Sequence, residues 1–143
     1  MEKHYEEITI NTDGGSRGNP GPAAIGVYAS VNNEEIFTIS ERIGETTNNV
    51  AEYTAVIKAL EKIIDNKIVS NKIKFILDSE LIVKQITGKY KVKLPHLQEL
   101  KKNVVDLVKK GREEKIINLM TFTHVLREKN KEADKLVNMA LDS

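Results

Sequence analysis

The chain has no cysteine and no tryptophan, only three prolines, and 5% aromatic residues in 143 positions. Without cysteine it can form neither disulfides nor thiolate metal sites, a composition that suits a reducing interior, and a cytoplasmic location is expected. No apolar run approaches the length of a membrane span. The opening M-E-K-H-Y-E-E also lacks the apolar stretch of a signal peptide. Yet 40% of the residues are hydrophobic. At this length that supports one compact domain over residues 1–143 with its own core, expected to act as a monomer.

Backbone punctuation is scarce but concentrated. Gly14, Gly15, Gly18 and Gly21 are half of the 8 glycines, and Pro20 and Pro22 are two of the 3 prolines. All fall in T-D-G-G-S-R-G-N-P-G-P-A, directly behind Asp13. The net charge of +1 conceals a polarity: Met1–Asp65 carries 5 Lys/Arg against 11 Asp/Glu, and Lys84–Lys115 carries 10 against 4. A basic face beside an acidic region fits a polyanionic partner and a cation site, although a lysine-rich solvated helix face accounts for the basic part equally well.

Alternation of apolar and polar residues predicts strands over 6–13, 24–31 and 35–43. Asn32-Asn33 makes the hairpin turn, because asparagine tolerates positive φ. From Asn49 to Ile64 the apolar residues recur every four positions, as on an amphipathic helix. A short buried strand (72–78) follows. A helix then runs to Ile86 with Gly88 closing it, and another spans 95–110, opened by Pro95 and ended by Gly111. The last strand is 115–125 and the last helix 131–142. The expected fold is α/β: a five-stranded mixed sheet, three antiparallel strands then two parallel, flanked by helices.

Four acids stand at structurally suggestive places, and each also has a purely local explanation. Asp13 ends the first strand or belongs to a D-G turn. Glu52 follows Asn49 by three residues, as in a capping box. Asp78 ends the fourth strand or caps the next helix. Asp134 sits in the first turn of the last helix, where negative charge suits the dipole. Strand ends of open α/β sheets are where ligands bind, and four acids gathered there cannot all stay ionised without cations. Hard divalent ions, magnesium or manganese, suit such oxygen ligands, and zinc is disfavoured without cysteine. The glycine block is no phosphate-cradling loop, since the G-K-[S/T] ending is missing.

D-G-G-S-R-G-N-P-G-P-A, T-N-N-V-A-E-Y-T-A, D-S-E-L-I-V-K-Q-I-T-G-K-Y-K-V-K and H-V-L-R-E-K-N-K-E-A-D together resemble the four blocks of type 1 ribonuclease H, in the family's order, from Ile8 to Leu141. The resemblance implies the ribonuclease H fold and hydrolysis of the RNA strand of RNA–DNA hybrids, leaving 3′-hydroxyl and 5′-phosphate ends. It implies two Mg2+ ions, or Mn2+, held by Asp13, Glu52, Asp78 and Asp134. It also places Asn19, Asn48 and Asn49 in the minor groove, where amides can read a 2′-hydroxyl, although plain turn and cap roles also account for them, for Asn49 equally well, and it places Thr47 at a DNA phosphate. Gly14 and Gly15 would let the backbone approach closely, so that a side chain there would meet a ribose or distort a metal ligand. Lysines between Lys84 and Lys110 would attract phosphates without sequence preference.

Two departures from the family pattern stand out. The extra basic, tryptophan-containing helix and loop of several members is missing, and G-K-Y-K-V-K-L-P runs straight into the next helix. Hybrid affinity is then either weaker or rests on Lys89, Lys91 and Lys93, with Tyr90 either stacking on substrate or packing. The loop before the fourth acid is short and offers Arg127 where many members place a histidine, as in a short-loop archaeal and bacterial branch. An ungapped alignment puts His124 there instead, but T-F-T-H-V reads as strand. Two rival readings remain at this stage. One is a non-catalytic nucleic-acid-binding module of the same fold, which the four acids argue against. The other is a nuclease of that fold acting on a different duplex.

Overall fold

In the computed structural model, which describes residues 3–143, five strands form one sheet in the order β3-β2-β1-β4-β5. The strands are β1 (Lys3–Ser16), β2 (Gly21–Val31), β3 (Glu34–Thr46), β4 (Ile68–Leu77) and β5 (Ile117–His124). The helices are α1 (Asn48–Asp65), α2 (Glu80–Ile86), α3 (Pro95–Glu113) and α4 (Lys131–Asp142), with a 3-10 turn over Arg127–Lys129. β1, β2 and β3 pair antiparallel, whereas β4 pairs parallel to β1 and β5 parallel to β4. The expected mixed sheet is therefore present. No helix among the described residues is long and apolar enough to cross a membrane.

The β2–β3 hairpin closes as its sequence predicts. Val31 pairs with Glu34, and Asn32 and Asn33 adopt φ of 52° and 67°, the left-handed pair that matches strand twist. The four-residue spacing in α1 buries Ala55, Val56, Ala59, Leu60 and Ile63 against Ile8 and Ile10 of β1 and Ile73 and Phe75 of β4. Phe75 and Phe122 stack with ring centroids 5.0 Å apart, joining β4 to β5. On α1, Tyr53 donates its hydroxyl proton to Gln85 Oε1 on α2 at 2.8 Å, a buried link between the two helices.

Two glycines of neighbouring strands seat the helices. A Cβ on Gly14 would overlap the backbone of Ala51 and Glu52 in α1, and one on Gly26 would overlap the Ala133 carbonyl in α4. A Cβ on Gly15 would instead meet Val137 of α4. Since successive residues of a strand face opposite ways, α1 and α4 lie on opposite faces of the sheet.

Several boundaries differ from the sequence expectation. β1 does not end at Asp13: Asp13, Gly14, Gly15 and Ser16 pair with Gly26, Ile25, Ala24 and Ala23. The chain turns only beyond Ser16, where Gly18 has φ 105° and the Arg17 N–H reaches the Pro22 carbonyl at 2.8 Å. Gly111 does not end α3. It is buried within the helix, where a Cβ would lie 2.5 Å from Ile117 Cδ1, and the left-handed residue that follows the helix is Lys115 at φ 60°. β4 begins at Ile68, four residues early, because its start pairs with Lys3 and His4 of β1.

Candidate active site

β1 and β4 point their carboxyl ends the same way, and the acids collect there. Asp13 sits in β1 opposite Gly26, Asp78 directly follows β4, and Glu52 arrives from the second turn of α1. One carboxylate oxygen from each of Asp13, Glu52 and Asp78 lies within 4.8 Å of the others. Asp134, from the first turn of α4, lines the same cleft together with Asn48 and Asn49.

Three of the four local explanations for these acids fail against the structure. Asp13 is in mid-strand, not in a turn. The cap of α1 is Thr47, whose side chain accepts the Val50 N–H at 3.3 Å, so Glu52 lies outside any capping box. Ser79, not Asp78, caps α2, accepting from Ile82. Only Asp134 keeps the position that the helix dipole explains.

The electrostatics of the cluster are unfavourable to charge. Burial pushes the Asp13 carboxyl up to about 7; the adjacent Glu52 carboxyl offsets part of this, and the charges of Asp78 and Asp134 add to it. Burial likewise holds Glu52 well above the usual carboxylate range, with Asp13 adding to the rise. Asp78 is raised by burial and partly relieved by the Arg127 cation. Glu52 Oε1 accepts the Gly14 N–H at 2.9 Å, whereas its Oε2 is buried without a hydrogen-bond partner. An unpartnered buried carboxylate oxygen is costly. A proton or a cation would relieve it. The donors are all oxygens, which fits a hard divalent ion.

The remaining predicted site residues divide. Asn48 Oδ1 accepts from the Ser16 N–H at 2.9 Å and from the Ser16 hydroxyl at 3.1 Å, and the Asn48 N–H donates to Asn19 Oδ1 at 3.0 Å. These bonds tie the 17–22 turn to the start of α1 and leave the amide NH2 groups of Asn19 and Asn48 without a protein acceptor among these contacts. Asn49 is half-buried in the cleft wall. Thr47 and Asn19 do not line the cleft. Gly14 is buried beneath α1, so of the two penalties expected for a side chain there, displacement of Glu52 is the one the packing supports. Gly15 has room: a Cβ would meet Val137 Cγ1 at an ordinary 3.6 Å.

Arg127 opens the 3-10 turn and is 78% exposed, with its Nη2 3.4 Å from Asp134 Oδ1. His124 closes β5, pairs in register with Leu77, and places Nδ1 3.9 Å from Glu80 Oε2. Arg127 lines the cleft and His124 does not. Tyr90 is half-exposed, but Lys84 Nζ lies 4.9 Å from its ring centroid and 3.3 Å from its hydroxyl. One residue escaped the sequence reading. Asn130 is fully buried and bonds to Thr12 and Asn11 beside Asp13; preceding a helix, it looks like an ordinary cap.

Residues 11–140 match the family model described as "Reverse transcriptase-like". LC11-RNase H1, solved in complex with an RNA/DNA hybrid, is 46% identical and superimposes with a TM-score of 0.84, over 94% of this chain and 96% of that one. RNase H1 from the halophilic archaeon Halobacterium salinarum is 36% identical with a TM-score of 0.85, over 95% of this chain and 98% of that one. The bifunctional protein Rv2228c of Mycobacterium tuberculosis is 35% identical over 139 residues, 96% of this chain. That alignment spans only 36% of its length. With its sheet order, its acid cluster and these likenesses, the chain belongs to the reverse transcriptase-like family, among the type 1 ribonucleases H.

Proposed function

We propose that the chain is an endonuclease that hydrolyses the RNA strand of RNA–DNA hybrids with two divalent ions, leaving 3′-hydroxyl and 5′-phosphate ends. The observation that carries this reading is the buried Glu52 Oε2, without a protein partner and grouped with Asp13 and Asp78 at the open end of the sheet. A binding module gains nothing from buried negative charge set where phosphates must lie. The hybrid bound in the LC11-RNase H1 complex supports the choice of substrate.

Asp13, Glu52, Asp78 and Asp134 would hold the ions, Mg2+ or Mn2+. When bound, such a pair supplies Lewis-acid activation of water and neutralises charge on the leaving oxygen. The protein's own groups do the rest. Gly14 N–H fixes Glu52. Arg127 sets a permanent cation at the cleft edge, where it steadies a phosphate without shuttling protons. The amides of Asn19, Asn48 and Asn49 read the 2′-hydroxyl, Thr47 meets a DNA phosphate, and Gly15 keeps the strand slim beside the sugar while Gly14 seats α1 and with it Glu52. The lysines from Lys84 to Lys110, most of them exposed, attract the duplex without sequence preference. All four acids come from one chain, so a monomer suffices, and the cysteine-free composition suits the cytoplasm.

Cleavage of labelled hybrid, double-stranded RNA and double-stranded DNA in Mg2+ and in Mn2+ tests this. Cutting confined to the RNA strand of the hybrid supports the reading. Tight hybrid binding without cutting would favour the non-catalytic module, and cutting of another duplex the other nuclease.

A further inference from the structure

Asn130 occupies the position immediately before α4, where an asparagine ordinarily accepts a hydrogen bond from the first helical turn. It makes no such bond. Its side chain turns into the protein and is fully buried. There its Nδ2 donates to the Thr12 carbonyl at 2.9 Å, and its Oδ1 accepts from Asn11 Nδ2 at 3.0 Å. The last β1–β4 pair is Asn11 with Ile76, so the Thr12 carbonyl lies just past the parallel ladder. The backbone carbonyl of Asn130 meanwhile accepts the Asp134 N–H at 3.2 Å. Three hydrogen bonds thus connect Asn11 and Thr12, the two residues before Asp13, to the backbone of Asp134.

The rest of α4 is anchored independently. Arg42 donates to the Ala140 and Leu141 carbonyls at 2.9 and 2.8 Å, Ser40 donates to the Leu136 carbonyl at 2.6 Å, and Ala133 rests on Gly26. Asn130 is therefore not what docks the helix. It fixes where the first turn, and with it Asp134, stands relative to β1.

We infer that Asn130 is a positioning residue, which sets the Asp134 carboxylate against Asp13 so that both serve one divalent cation site, with Asn11 orienting its amide. The inference rests on the metal-dependent reading above. Partners that orient the residues holding a metal are commonly worth 10- to 100-fold in affinity or activity.

The test is calorimetric titration with Mn2+ alone, on the full chain, for wild type, Asn130→Ala, Asn11→Ala, Asp134→Asn and the Asn130→Ala/Asp134→Asn double variant. Asn130→Ala should weaken Mn2+ binding about 10-fold. The double variant should bind no worse than Asp134→Asn, because the two act through one carboxylate. Turnover at fixed Mn2+ should fall by a similar factor with KM for hybrid unchanged. An Mn2+ isotherm that Asn130→Ala leaves unaltered, or losses that multiply in the double variant, would overturn the inference. If Asn130→Ala does not fold, Asn11→Ala decides: weakened Mn2+ binding supports the inference and an unchanged isotherm refutes it. Binding is read without cleavage, so a wild type that binds Mn2+ but cuts no hybrid fails the nuclease reading alone.

Discussion

Glu52 is hydrogen-bonded to the residue next to Asp13: its Oε1 accepts the Gly14 N–H at 2.9 Å. The bond holds a helix carboxylate beside a strand carboxylate in a place that neither would choose when charged. Its other oxygen remains buried and unpartnered. The folding of β1 against α1 thus stores electrostatic cost at one point, and that point is where a cation would remove it.

The pH dependence of stability should show this cost. Asp13 is raised to about 7, chiefly by burial, against about 3.9 in an unfolded chain. A raised carboxyl binds a proton more tightly folded than unfolded, so it stabilises the fold at low pH. That contribution is lost as pH rises from about 4 to about 7, at up to about 1.4 kcal/mol per pH unit. Glu52, raised in the same direction, adds to the loss. Thermal melts in chelator should therefore show falling Tm across this window, and Mg2+ should flatten the slope. A Tm that rises through the window in chelator would contradict the burial argument.

Asp13→Asn and Asp78→Asn should each abolish cleavage while leaving hybrid binding largely intact. Metal-free stability should stay equal or rise, since each removes a repelling carboxylate. Denaturant melts at pH 8 in chelator check this. A loss of several kcal/mol in both variants, on the scale of broken buried networks, would make these acids structural instead.

Gly14→Ala and Gly15→Ala should part company. A Cβ at Gly14 overlaps the α1 backbone, so α1 must move, at roughly 3 kcal/mol or more, and Glu52 moves with it. At Gly15 the nearest atom is 3.6 Å away, and stability should change by less than about 1 kcal/mol. Equal melts for the two variants would show that α1 is not seated on Gly14.

Arg127→Ala should lower turnover about 10-fold or more, whereas His124→Ala, whose ring faces Glu80 at 3.9 Å, should stay within about twofold and act mainly on stability. The Arg127 cation pulls Asp78 downward. Its removal should therefore shift the acid side of the pH–rate curve to higher pH. Turnover of both variants from pH 5.5 to 9 measures this, and a collapse in His124→Ala with normal Arg127→Ala reverses the assignment.

Much of the fold was legible because its signals are local. Asn32-Asn33 specifies its hairpin through tolerated positive φ, and the spacing of Val56, Leu60 and Ile63 marks the buried face of α1. Asp78 and Asp134 were legible through their places at a strand end and a helix start, whereas Asp13, which lies within β1, stood out through the glycines behind it. What the sequence hid depends on contacts between distant segments. Gly14-Gly15 reads as a turn, yet it continues β1 because α1 needs the space at Gly14. Gly111 reads as a helix stop, yet it is a seat for Ile117. Asn130 has the sequence context of a cap, and only the fold reveals that its amide reaches residues 118 and 119 positions away.

The most direct test is cleavage of one hybrid with its RNA and DNA strands separately labelled, first in excess chelator and then after adding Mg2+ to the same sample. The account predicts no cutting in chelator and, after Mg2+, RNA fragments ending in 3′-hydroxyl and 5′-phosphate with the DNA strand intact. Cutting that persists in chelator, or a hybrid left whole in Mg2+ and in Mn2+ by a protein that binds it, would contradict the assignment of Asp13, Glu52, Asp78 and Asp134 to a metal-dependent nuclease site.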